Sequence, residues 1–331
     1  MDEDKLGSSE PTGKRVILLT PRGFCAGVVR AIDVVKIALE LYGRPIYVRK
    51  EIVHIRHVVE DHRRAGAVFV EELGEVPTGA RVIFSAHGVS PAVRREARER
   101  GLDVIDATCP LVTKVHLEAI KFARQGYTIL LVGHRDHDEV IGTMGEAPQA
   151  TVVVSTEDEA DRIEVRDPSR VVYLTQTTLS LDETQGIVER LRRRFPKIQG
   201  PPAQDICYAT ENRQLAVKAV APLCQLLLVV GSQNSSNSRR LVEVCQKDSV
   251  PAYLVDDESE VDPAWFAGVK TVAVTAGASA PEVLVEQLVA SLSRFGFHQV
   301  EEVVLKDEDV RFALPVELAH PAQTLTTIAT T

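Results

Sequence analysis

Short apolar runs alternate along this chain with stretches in which apolar residues return every three or four positions. The runs at residues 16–19, 46–48, 67–70, 81–84, 104–106, 128–132, 171–174, 226–230 and 271–275 have the length expected of buried strands. The stretches between them read as helices. Ala31, Val34, Val35, Ala38 and Leu39 share one helical face, which Gly43 and Pro45 bring to an end. Val112, Val115, Ala119 and Phe122 share another, and Pro91 stands where a helix over 93–100 can start. Further helices are predicted over 57–64, 182–194, 212–220, from 239, and over 281–292, with one more strand over 299–305. The remainder to Thr331 lacks periodicity and is expected to lie across the surface of a domain.

Alternating β and α elements predict parallel sheets joined by crossover helices. The plan repeats. Residues 15–103, 104–204 and 205–297 are expected to form three similar small α/β domains. A polar lead-in over 1–14 precedes them, and a strand and tail over 298–331 pack back on the body. Each unit opens on an apolar run, then a short loop with one cysteine, then a helix. The cysteines are Cys25, Cys109 and Cys207, about 84 and about 98 residues apart, a spacing of domains rather than of a CxxC site. Later strands of each unit end in two more polar loops. The second loops carry His54, His137 and Ser235-Ser236-Asn237; the third carry His87, Thr175–Thr178 and Ser279. Ligands of open α/β sheets bind at the carboxyl ends of strands. A pseudo-threefold, trefoil packing of the units would therefore aim nine loops at one central cavity.

Composition narrows the class. The chain has 331 residues, 44% of them hydrophobic, enough for a substantial core in two or three domains. A net charge of −9 argues against wholesale binding to nucleic acid or membranes and leaves room for a local cationic pocket. No apolar run approaches the roughly 18 residues that span a bilayer. The lead-in lacks the basic-then-apolar order of a secretion signal, so a cytoplasmic protein is expected. Five cysteines spread over a long chain do not suggest a disulfide scaffold.

The loops suggest chemistry. Three soft thiolates converging on an axis point to an iron–sulfur cluster or to zinc. Cys224 and Cys245 fall beside a strand and inside a helix and read as core residues. His54, His87 and His137, facing a Ser-Ser-Asn loop and Ser279, suit a phosphate-bearing ligand. Histidine can carry charge near neutral pH, and hydroxyls and helix-start amides donate to anions. Glu139, two residues from His137, can serve as a general acid if a closed cavity raises its pKa, with Thr177 or Thr178 beside it.

The stretches PRGFCAGV, FSAHGVS, DATCPLVTKVH, TQTTLS, DICYAT, GSQNSSNS and TAGASAPE resemble the signature stretches of the LytB/IspH family of 4-hydroxy-3-methylbut-2-enyl diphosphate reductases. The resemblance runs over residues 16–305. It implies a [4Fe–4S] cluster on Cys25, Cys109 and Cys207, with the substrate's allylic alcohol at the unique iron. It implies a diphosphate site on His54, His87, His137, Ser235, Ser236, Asn237 and Ser279, with Thr177 beside the proton-delivering Glu139. Two electrons, from a ferredoxin or flavodoxin, and two protons would remove the hydroxyl as water. The products would be isopentenyl and dimethylallyl diphosphate, the last step of the non-mevalonate pathway. Asp138, Ile141 and Glu211 depart from the family pattern. Asp138 either raises the His137 pKa or faces solvent. Two other functions compete: a zinc phosphohydrolase using the same pocket, and a non-enzymatic redox sensor. The sensor would need an output surface, and Arg192-Arg193-Arg194 reads instead as a solvated helix end or a docking point for an acidic ferredoxin.

Overall fold

The computed structural model describes residues 13–319. The chain opens with β1 (Lys14–Thr20) and α1 (Ala26–Tyr42), then β2 (Ile46–Arg49), α2 (Arg56–Ala65), β3 (Ala67–Val70), β4 (Arg81–Phe84), α3 (Pro91–Glu99) and β5 (Asp103–Asp106). It continues through α4 (Pro110–Arg124), β6 (Thr128–Val132), α5 (Asp138–Glu146), β7 (Thr151–Val154), α6 (Glu157–Arg162), β8 (Val171–Thr175) and α7 (Leu181–Arg194). The last part runs α8 (Tyr208–Val220), β9 (Leu226–Val230), α9 (Ser236–Lys247), β10 (Ala252–Val255), β11 (Thr271–Ala276), α10 (Glu282–Leu292) and β12 (Phe297–Val304).

The strands form three wholly parallel sheets, in the orders β3-β2-β4-β5, β7-β6-β8 and β10-β9-β11-β1-β12. A parallel bridge from Val172 to Gln199 adds a rudimentary fourth strand beside β8. Each sheet thus follows one plan. The first strand sits inside, the second goes to one edge, the third to the other side, and the fourth lies beyond the third and leads to a cysteine. β5 leads to Cys109, the segment after Gln199 to Cys207, and β1 to Cys25.

This plan shifts the expected boundaries. β5 belongs with β2–β4, so a cut between 103 and 104 severs that sheet from its last strand. β1 pairs with β11 and β12 rather than with β2, so the third unit is completed by the start of the chain. Residues 205–207 form no strand; the bridge at Gln199 takes that place. The cysteine loop therefore closes one unit and leads into the next. The expected lead-in lies almost entirely outside the described residues.

Burial explains the apolar runs. All five residues of β9 are buried, because that sheet is covered on both faces. Leu226, Leu228 and Val230 pack into a core shared with α1, while Leu227 and Val229 face Val217, Val220, Leu241 and Val244 of α8 and α9. The same alternation splits β6 between two cores. Helix α1 packs against two sheets at once, so Val34, Val35 and Ala38 are fully buried. The tail is more than a surface layer, since Leu318 is fully buried in the core around α1. Among the described residues no helix is long and apolar enough to cross a membrane.

Candidate active site

The loops after the first, third and fourth strands of every unit open into one cavity of about 110 Å³, roomy enough for several waters or part of a small ligand. Its walls include Cys25, Cys109 and Cys207; His54, His87 and His137; Glu139 and Thr177; and Ser235, Ser236, Asn237 and Ser279. Every candidate residue from the sequence is thus brought together. The loops after the second strands contribute nothing, because those strands stand at sheet edges away from the crevice where strand order reverses.

At the sulfur end, each cysteine occupies the position just before a helix: Cys25 before α1, Cys109 before α4 and Cys207 before α8. The amide-rich start of a helix favours negative charge, so the fold presents three thiols where thiolates are best tolerated. Burial nonetheless pushes the Cys109 thiol up to about 11, and nearby Cys25 adds to the rise. Burial and then Cys25 push Cys207 up to about 12. A β-carbon on Gly27 would lie 2.8 Å from the Cys109 sulfur and 3.8 Å from that of Cys25, so any side chain there would push the Cys109 sulfur from its place. All three thiols are free. This opposition to ionisation of Cys109 and Cys207 is what a bound cationic centre would relieve.

At the other end, three imidazoles cluster. The His54 and His87 rings stack with centroids 4.4 Å apart, and His137 meets them edge-on at 6.5 and 5.8 Å. Burial holds His87 well below its ordinary pKa and lowers His137 to about 4, with the other histidines assisting. Of the two expectations for Asp138, that it raises the His137 pKa is not met. Burial dominates there, and the Asp138 charge is felt instead by Lys50. Ile141 is exposed on α5. The backbone N–H of Glu139 donates to His137 Nδ1 (3.2 Å), which leaves the ring proton on Nε2. The Ser279 hydroxyl is buried without a partner. Ser235 caps α9, its hydroxyl accepting from the Ser238 N–H (3.2 Å), so the first amides of that helix begin beside the cavity. Asn237 is a brace as well as a donor: its Nδ2 donates to Thr210 Oγ1 (3.1 Å) and its Oδ1 accepts from the Ala278 N–H (2.9 Å).

Glu139 lies in the first turn of α5, not in a loop as expected, and is 2% exposed. Thr177 grips both its oxygens, the backbone N–H donating to Oε1 at 2.7 Å and the hydroxyl to Oε2 at 3.0 Å. Those bonds favour the carboxylate, yet burial outweighs them and raises the pKa to about 7, with Asp205 adding to the rise. A group poised there can hold or release a proton near neutrality. Its charge reaches Cys109, and the Thr177 carbonyl accepts from the Cys207 N–H (3.0 Å), so the acid stands close to the sulfur end.

Tyr208, Thr210 and Phe312 are among the wall residues that the sequence did not single out. The first two neighbour Cys207 and could have been found by that adjacency. Phe312 lies in the aperiodic tail and carried no signal. Arg192 and Arg194 sit on α7 against Tyr173 and Asp161, and the cavity wall includes none of the Arg192–Arg194 run. Cys224 and Cys245 lie in the apolar core.

Comparison with known proteins agrees with this arrangement. The LytB protein family matches residues 16–293. The 4-hydroxy-3-methylbut-2-enyl diphosphate reductase of Nocardia farcinica is 58% identical over 308 residues, 93% of this chain and 92% of that protein. The reductase of the same name from Mycolicibacterium paratuberculosis is 59% identical over 309 residues, 93% of each chain. Among solved structures, the E-1-hydroxy-2-methyl-but-2-enyl-4-diphosphate reductase from Plasmodium falciparum superposes with a TM-score of 0.92 at 39% identity, covering 95% of this chain and 99% of that one. A second, (E)-4-hydroxy-3-methyl-but-2-enyl diphosphate reductase, described as the terminal enzyme of the non-mevalonate pathway, gives 0.60 at 32% identity, covering 85% and 99%. The family match takes in strands of all three sheets and the nine strand-end loops of the cavity: this chain belongs to the LytB family.

Proposed function

We propose that this chain reduces (E)-4-hydroxy-3-methylbut-2-enyl diphosphate, replacing its allylic hydroxyl by hydrogen to give isopentenyl and dimethylallyl diphosphate. The observation that carries this reading is a single cavity with a three-thiol end, a histidine–serine end, and a buried carboxyl of pKa about 7 beside the thiols. The names of the relatives point to the same substrate.

Cys25, Cys109 and Cys207 suit a [4Fe–4S] cluster, which when bound supplies single electrons and one iron without a protein ligand. Among the described residues no group of three or more His, Cys, Asp or Glu side chains is arranged to hold a single metal ion. A lone zinc needs its ligands gathered at about 2.0–2.3 Å from one point, whereas three thiols on three separate loops suit a cluster whose irons each take one thiolate. Electrons would arrive from a ferredoxin or flavodoxin.

The chain's own groups do the rest. His137 Nε2–H, the neighbouring imidazoles, the Ser279 hydroxyl and the first amides of α9 would hold the diphosphate. Each bond to such a charged group contributes roughly 1.5–3 kcal/mol. Diphosphate would in turn draw protons onto His87 and His137, which burial keeps neutral in its absence. Fixing the substrate at that end aims the allylic carbon at the thiol end, and such orientation can be worth roughly 7–11 kcal/mol. Glu139 gives its proton to the departing hydroxyl, which leaves as water, and Thr177 keeps the carboxyl in place before and after the transfer. Two electrons and two protons are consumed for each water formed.

The test is anaerobic turnover of the iron- and sulfide-loaded protein with a reduced viologen dye and the allylic diphosphate, read by product analysis. Formation of the two five-carbon diphosphates is expected. Phosphate release without dehydroxylation would overturn the reading.

A further inference from the structure

The tail beyond β12 reaches the cavity. Leu305 N–H donates to the Thr20 carbonyl at the end of β1 (2.8 Å), and Phe312 then forms part of the wall that holds the three cysteines. Two buried arginines hold this segment down. Arg30 of α1, 9% exposed, donates from Nε to the Ala313 carbonyl (2.6 Å) and from Nη1 to the carbonyl of Thr108 (3.0 Å), the residue before Cys109. Arg213 of α8, with no exposure at all, donates to the Gly23 carbonyl (2.7 Å), two residues before Cys25, and to the Ala209 carbonyl (2.9 Å), two residues after Cys207. Its Nη1 also meets both carboxylate oxygens of Glu308 in the tail, at 3.1 and 3.2 Å.

Each guanidinium thus spans two cysteine neighbourhoods. Arg30 joins the helix that starts at Cys25 to the loop of Cys109. Arg213 joins the helix that starts at Cys207 to the loop of Cys25. A buried guanidinium is costly unless its rigid fork of donors is satisfied, and the tail supplies the Ala313 carbonyl to Arg30 and the Glu308 carboxylate to Arg213, whose Nε alone stays without a partner. Anchoring a helix to its own sheet would not require carbonyls beside a different cysteine in each case.

We propose that Arg30 and Arg213 are positioning residues that set the spacing of the three thiols, and that residues 308–313 lock them and close the thiol end with Phe312. The proposal rests on the reading of those thiols as the set that holds the cofactor.

Two measurements on the full-length chain test it. In reduced, metal-free protein, Phe312→Ala should speed reaction of the cavity thiols with an aromatic disulfide reagent about tenfold, because thiol reactivity follows access. Phe312→Leu should restore the slow rate, and the thermal midpoint should barely move. After loading with iron and sulfide, Glu308→Ala and Arg213→Lys should bind less iron per chain and change the electron paramagnetic resonance line shape of the reduced protein. Wild-type thiol reactivity in Phe312→Ala, or wild-type iron content and line shape in both Glu308→Ala and Arg213→Lys, would overturn the proposal. Should unaltered protein take up no iron, the cofactor reading fails on its own, while the thiol measurement still decides whether the tail guards the sulfurs.

Discussion

Two groups of cysteines share this molecule and differ in almost everything that surrounds them. Burial pushes Cys224 and Cys245 up to about 11 and about 12, matching Cys109 and Cys207. Yet Cys245 sits within α9 among Leu227, Val229 and Leu241, and Cys224 donates to the Ala221 carbonyl at the end of a turn. Their sulfurs fill space. The cavity cysteines instead stand where strands stop and helices begin, outside the apolar layers, with each other as neighbours. Location relative to strand ends and helix starts, not thiol acidity, separates a cavity cysteine from a space-filler here.

The largest effect that could break this contrast is on the cavity thiols. Cys109→Ser should lose bound iron and at least about 100-fold in turnover, since ligand-sphere changes cost that much even one shell out; unchanged iron content would remove Cys109 from the set. Next comes Glu139→Gln, expected to lower kcat by about 10²–10⁴ with the iron signal intact. In the native enzyme, activity should decline above pH 7 as Glu139 loses its proton, and the variant's residual rate should not follow that limb. Third, His137→Ala should raise KM about 10–100-fold, the equivalent of one or two charge-assisted bonds, with a smaller change in kcat. A kcat loss with unchanged KM would move His137 from binding to chemistry.

A fourth expectation concerns stability in metal-free protein. The unfolded chain releases the Glu139 proton near pH 4.5, whereas the folded chain keeps it until about 7. Between those values the folded state binds more protons, so stability falls as pH rises. Glu139→Gln should therefore raise the melting temperature at pH 8 relative to the native chain and change it much less at pH 4. An equal shift at both would contradict the burial argument. Smallest on activity is Cys245→Ala, which should leave turnover unchanged and cost about 1–2 kcal/mol of stability through lost packing. A loss of iron in that variant would blur the two groups.

Much of the architecture was legible because strands buried on both faces, such as Leu226–Val230, write themselves as unbroken apolar runs. The polar loops at their ends stood out for the same reason. The offset of the repeats was not legible, because pairing of β1 with β11 is a choice between distant partners that no local pattern encodes. Helix α5 was hidden too: DEVIGTMGE carries two glycines, and its cap is His137, an unusual residue for that place. That is why Glu139 read as a loop residue. Arg30 and Arg213 carry no local signal in the sequence, since only the folded chain reveals that both are buried.

The pairing of β1 with β11 also has a consequence for how the protein is made. Arg15 lies opposite Thr271, so the opening strand finds its neighbour only after most of the polypeptide has left the ribosome. At about 5–20 residues per second, that interval is on the order of tens of seconds. Throughout it the segment that carries Cys25 has no sheet to join, and the pocket lacks one wall. Any group held by the three thiols together must await β11 and β12, which ties completion of that site to synthesis of nearly the whole chain.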